Sequence, residues 1–191
     1  MTPDQARALM HEWVAGPSLR AHMEAVAACM GAYAARLAPA ERDRWTVAGL
    51  LHDYDYEKHP TPAEHPFVGV ANLERLGVDE ETRIAILGHA EYSGTPRQTP
   101  MARTLFAVDE LAGFIVACAK VRPNGIADLE ARSVRKKLKD KAFAAAVIRA
   151  DIATGTAELA ALLGADAAAF EGEHIQTCIE AIKAEAPRVG L

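Results

Sequence analysis

Apolar residues recur at three- and four-residue spacing along most of this chain, and strict apolar–polar alternation is nearly absent. That period lines one face of a helix. Ala is abundant and β-branched runs are short, so the fold class is read as all-α. The 191 residues are expected to form one compact helical bundle over 1–191, long enough to enclose a sizeable core.

The breaks in the period divide the chain. Thr2-Pro3-Asp4 can cap a first helix reaching about residue 14, and Gly16-Pro17-Ser18 then interrupts it. Further helices are expected over about 18–37, 39–53, 66–76, 79–90, 99–121 and 128–138. A short helical turn is expected over 140–145, and two last helices over 149–163 and 166–186. The segment 55–66 contains Pro60, Pro62 and Pro66 and must be loop-like. There is no internal repeat, low-complexity segment or domain linker.

Charge and cysteine usage narrow the function classes. A net charge of -5 disfavours a nucleic-acid polymer as the main partner. Cys29, Cys118 and Cys178 are widely spaced in apolar surroundings, which suggests buried thiols in a reducing compartment rather than a disulfide framework. The N-terminus has no basic region followed by an apolar run. No apolar stretch approaches the ~18 residues of a membrane span. A cytoplasmic protein with no membrane partner is expected. Ala-rich helical seams permit a homodimer, though nothing specifies one.

The residues that carry chemistry centre on Leu50-Leu51-His52-Asp53, where an apolar helical run ends in an adjacent imidazole and carboxylate. A buried donor or charge without a partner is costly, and a metal ion would satisfy both groups. Such a pair alone is also compatible with a cap or a surface position. His22, His65 and His89 fall at other helix positions, while His11 and His174 lie near the termini. Asp109 sits inside the apolar run Leu105–Ile115, where helix propensity disfavours it. A buried Asp there needs a cation, either a metal or an Arg or Lys from another helix. His65 could instead face water at a helix start, and His89 could interact with a helix C-terminus. His59 reads as a loop residue.

The order His22, His52-Asp53, His65, His89, Asp109 resembles the HD-domain superfamily of metal-dependent phosphohydrolases, over roughly residues 18–121. Leu50-Leu51-His52-Asp53 matches the naming motif. His65-Pro66-Phe67-Val68-Gly69-Val70-Ala71-Asn72-Leu73 looks like the H-P-x-x-G-x-x-x-L segment. Ile86-Leu87-Gly88-His89-Ala90-Glu91 looks like the second-metal histidine segment, and Leu105-Phe106-Ala107-Val108-Asp109-Glu110-Leu111 like the closing Asp helix. Residues 122–191 look like the additional C-terminal helices of small bacterial HD hydrolases.

By that resemblance, His22, His52, Asp53 and Asp109 hold one divalent ion, and Asp53 bridges to a second held by His65 and His89. Iron or manganese is favoured, with zinc, nickel, cobalt and magnesium as alternatives. Two such ions ~3.5–4 Å apart activate a water and stabilise phosphoryl transfer. Asp53 is then the catalytic carboxylate, and the substrate a small phosphorylated metabolite or nucleotide. Arg97 and Arg103 could line the entrance. Lys120 lies about 16 Å along the helix from Asp109 and could touch a distal part of the substrate. Lys136 and Lys137, in the basic run 133–139, could form a phosphate-facing rim or simply a solvated face.

Two departures matter. Ala90 stands where cyclic-dinucleotide-cleaving relatives have a second histidine, and 91–96 lacks their Gly-Tyr-Pro loop, so that activity is not expected. Tyr54-Asp55 replaces the frequent Gly-Lys after the pair, which puts lysine assistance in doubt. The same ligands also resemble those of di-iron HD oxygenases, and a non-catalytic, metal-stabilised regulator is a third alternative.

Overall fold

The computed structural model describes residues 1–191 and contains ten helices: α1 (Pro3–Trp13), α2 (Pro17–Leu37), α3 (Arg42–Leu51), α4 (Phe67–Arg75), α5 (Glu80–His89), α6 (Pro100–Lys120), α7 (Ala131–Leu138), α8 (Arg149–Leu162), α9 (Ala167–Ala184) and α10 (Ala186–Val189). There is no strand, and the all-α reading holds. α2 and α6, 21 residues each, pack on one another and form the spine. α3 lies on α2, α5 on α6, and α1 on α3; α8 and α9 pack against α6 on its remaining side, with α7 on α9. α6 is apolar nearly all round, from Met101 to Ala119, as a helix enclosed by others must be.

Local chemistry sets the helix ends. Thr2 and Gln5 form a reciprocal capping box at α1, and Asp79, Thr99 and Asp166 each accept a first-turn amide. Arg7 ties α1 to α2 through Glu24 at 2.8 Å. Several ends differ from the sequence reading. The helix expected over 39–53 opens with a 3-10 turn at Pro39–Glu41 and closes at Leu51, so His52 and Asp53 stand just beyond it. The segment 140–145 is a series of turns, because the Arg149 guanidinium draws in the carbonyls of Asp140, Phe143, Ala144 and Val147. The helix expected from 128 starts at Ala131, since the Asp128 side chain binds Arg122 and Asn124. All three cysteines are free and buried. No helix is long and apolar enough to cross a membrane.

His174 sits in the core of α9, fully buried. The Ala107 carbonyl can only accept, so Nε2–H donates to it at 3.1 Å and Nδ1 accepts from the Tyr33 hydroxyl at 2.6 Å. Burial pushes its pKa down to about 4. The unfolded chain takes up this proton near the ordinary value of ~6.5. Between those values the unfolded state binds more protons, so stability rises with pH and is lost on acidification. In His174→Gln, unfolding stability measured in urea is expected to fall by about 2 kcal/mol less than in the wild type between roughly pH 7 and pH 5. Equal falls in both proteins would contradict this account.

Candidate metal centre

Four helices deliver the site. α3 buries Trp45, Val47, Ala48, Leu50 and Leu51, and its end presents His52 and Asp53. Gly49 makes the approach possible: a Cβ there would lie 2.6 Å from the Ala27 Cα on α2. His22, near the start of α2, thereby meets His52 with their Nε2 atoms 3.2 Å apart. Asp109, midway along α6, places Oδ1 3.0 Å from His22 Nε2 and 3.3 Å from His52 Nε2. No Lys or Arg lies within ion-pair reach of Asp109, which removes the alternative of an inter-helix salt bridge.

A second lobe adjoins the first. His65 and His89 bring their Nε2 atoms to 3.3 Å from each other. Both rings are buried, so neither is a solvent-facing helix-end residue. Asp53 stands between the lobes: Oδ1 is 3.3 Å from His65 and 3.2 Å from His89, and Oδ2 is 3.6 Å from His52 and 3.8 Å from His22. The groups His22/His52/Asp53 and Asp53/His65/His89 each have ligand atoms within 4.8 Å of one another, close enough to hold a metal ion.

The outer nitrogens explain why the inner ones converge. His52 Nδ1–H donates to the Gly49 carbonyl at 2.9 Å, His65 Nδ1–H to Asp55 Oδ1 at 2.7 Å, and His89 Nδ1–H to the Ile86 carbonyl. Each Nε2 therefore faces the cluster with its lone pair. Paired lone pairs beside two carboxylates require positive charge between them. Protons supply it when metal is absent. Burial opposes charge on His52, yet Asp53 and Asp109 outweigh it and raise its pKa to about 9. His65 rises to about 9 against the same opposition, through Asp53 and Asp55. Burial alone would raise Asp53 and Asp109, but the imidazoles beside them hold both below the usual carboxylate range. A site that concentrates protons in this way fits a divalent cation, which displaces them.

Asp55 was not singled out as a site residue by sequence reasoning. It is 1% exposed; Oδ1 orients His65 and Oδ2 accepts the Gly69 N–H at 2.7 Å. Gly69 leaves room for this carboxylate, because a Cβ there would sit 2.7 Å from Asp55 Oδ2. The glycine of the His65–Leu73 segment was the available signal. Tyr54 adds a brace, donating to the Gly69 carbonyl at 2.8 Å while its ring packs on Trp13 at 4.9 Å. Glu57 fixes the same loop by accepting the amides of Ala15 and Gly16 at 3.2 and 2.9 Å. Asp55→Asn is expected to weaken metal binding at the His65/His89 lobe by about 10–100-fold, as read by competitive titration against a chelating dye. An affinity equal to wild type at that lobe would rule out an orienting role.

A cleft of about 450 Å³ opens over the cluster. Tyr56, Tyr92, Phe106, Ile148, Glu110 and Asp151 are among its walls, and no Lys or Arg lines it. Burial and the adjacent Asp109 carboxylate raise Glu110 to about 7. The five basic residues considered from sequence lie elsewhere. Arg97 backs the wall: it grips Glu158 at 2.6 and 2.8 Å and Glu91 at 2.8 Å, and it stacks 3.6 Å over Phe106. Arg103 donates to the Arg97 carbonyl at 3.1 Å. Lys120 is exposed at the far end of α6. Lys137 lies over Phe143, and Lys136 lines a separate groove. His59 contacts Glu64 and Trp13 in its loop, away from the cluster.

A helical bundle that converges four imidazoles and two carboxylates in this way belongs among the metal-binding proteins. Residues 19–113 match the family model of the HD domain, and that segment belongs to the HD-domain superfamily of metal-dependent hydrolases. No curated protein and no solved structure matches it.

Proposed function

We propose that this protein is a two-metal phosphohydrolase acting on a small monophosphate ester in the cytoplasm. The observation that carries this reading is the position of Asp53, whose two oxygens face separate histidine pairs. His22, His52 and Asp109 would hold one ion, His65 and His89 the other, and Asp53 both. Bound there, divalent cations lower the pKa of a water and stabilise the attacking and leaving oxygens of phosphoryl transfer. The imidazole share of the donor set favours iron, manganese, zinc, nickel or cobalt over magnesium.

The residues around the ligands supply positioning. Asp55 locks the His65 ring, and backbone carbonyls lock His52 and His89. Phe106 and Ile148 give the cleft an apolar stretch of wall. Tyr56 packs edge-on against His65, with ring centroids 5.1 Å apart, and narrows the mouth. Charge selects the substrate. With no Lys or Arg in the lining, one phosphoryl group would be met by the metal centre alone, and further phosphates would face Glu110 and Asp151. Monophosphate esters should therefore exceed nucleoside triphosphates in kcat/KM by about 100-fold or more on metal-loaded protein. Equal or reversed ratios would contradict the substrate class. Oxygen-dependent turnover of the iron-loaded protein, in place of hydrolysis, would overturn the reaction class.

A further inference from the structure

A groove of about 780 Å³ opens between α7, α8 and α9. Arg132, Arg135, Lys136 and Lys139 edge it. Their spacing repeats at three and four residues, so they form one stripe along α7 and its end. Like charges stacked this way repel one another, and the chain as a whole is acidic, with a net charge of -5. The cations are only partly neutralised from within. Arg132 pairs with Glu130 at 2.6 Å and Arg135 with Glu171 at 2.7 Å, while Lys136 and Lys139 form no ion pair. Glu171 is the one acid in the lining.

Two further features face the same space. The first turn of α9 contributes Ala167 and Ala168, whose amides have no partner within the helix. Asp166 caps only the Ala169 amide, at 3.0 Å. Leu138, Ile152 and Ala153 supply an apolar floor beside the cations. The volume lies within the range of small-molecule sites, about 300–1,000 Å³.

We propose that this groove binds a small polyphosphate ester, with its phosphates on Lys136, Lys139 and the α9 amides and its organic part on Leu138, Ile152 and Ala153. None of the six metal-site residues lines the groove, so the ligand is an effector and not a substrate. The contrast with the metal cleft is one of charge: cations line the groove, and carboxylates line the cleft.

The test is calorimetric titration with ATP, inorganic tripolyphosphate and a single-stranded oligonucleotide as probes. ATP should bind the wild type and Asp53→Ala with the same affinity, which places binding outside the metal cleft. The double variant Lys136→Glu/Lys139→Glu, altered at two exposed positions, should bind ATP at least about tenfold more weakly while keeping its helical circular dichroism. Tripolyphosphate, which cannot use the apolar floor, should bind more weakly than ATP. Unchanged affinity in the double variant, or no ATP binding up to about 1 mM, would overturn the proposal. Tighter binding of the oligonucleotide than of ATP would overturn it too, in favour of a nucleic-acid surface.

Discussion

Replacing Asp53 by Ala is expected to remove both metal ions and to lower kcat/KM on the best monophosphate ester by about 10⁴-fold or more. The size of the effect follows from the double contact. Asp53 Oδ1 faces His65 and His89 within 3.3 Å, and Oδ2 faces His52 and His22 within 3.8 Å. No other carboxylate reaches both lobes, so its loss strips each lobe of an anionic ligand. The histidine pairs are then left as clustered donors with less negative charge to favour a cation. The fold should survive, because Asp53 lies beyond the end of α3 and Leu50 and Leu51 remain packed. Retention of both ions, read by elemental analysis of the folded variant, would contradict the bridging role.

Replacing His65 by Ala should have the next largest effect, and a different one. His65 contacts only Asp53, Asp55 and His89 among the polar groups of the site. The lobe formed by His22, His52 and Asp109 is left intact. One ion should be lost and one kept, with kcat/KM reduced by roughly 10²–10³-fold, because only one of the two flanking charges on the reacting phosphate disappears. Loss of both ions would show that the two lobes are not separable, and loss of neither would put His65 outside the site.

Much of the site was legible in the sequence, for a physical reason. Asp109 interrupts a helix that is otherwise apolar, and His52-Asp53 end one that is apolar up to Leu51. Polar groups in such positions stand out against the helical period. His65 and His89 are weaker signals alone, since helix ends commonly carry histidine. Only the shared order of all six, and then the three-dimensional convergence, gives them meaning.

Asp55 left no trace in the sequence beyond Gly69, because it lies in an irregular loop with no period to violate. Its partners, the His65 ring and the Gly69 amide, come from ten and fourteen residues further on. The basic residues failed to mark the substrate cleft for another reason. Sequence gives their charge but not the side of α8 on which they land. Arg97 is taken by Glu158, 61 residues away, and Lys136 faces α9 across a different groove. Helix existence was read more securely than helix ends. Ends depend on side-chain ties such as those of Arg149 and Asp128, which periodicity does not encode.

The measurement that bears most directly on the central claim is metal content per chain. Wild-type protein would be saturated with iron(II) or manganese(II), freed of excess ion by gel filtration, and analysed by elemental mass spectrometry beside Asp53→Ala. Two ions per wild-type chain, both absent from the variant, are what a carboxylate shared between two histidine pairs requires. One ion or none in the wild type would contradict a binuclear centre and leave His65 and His89 without a metal-binding role.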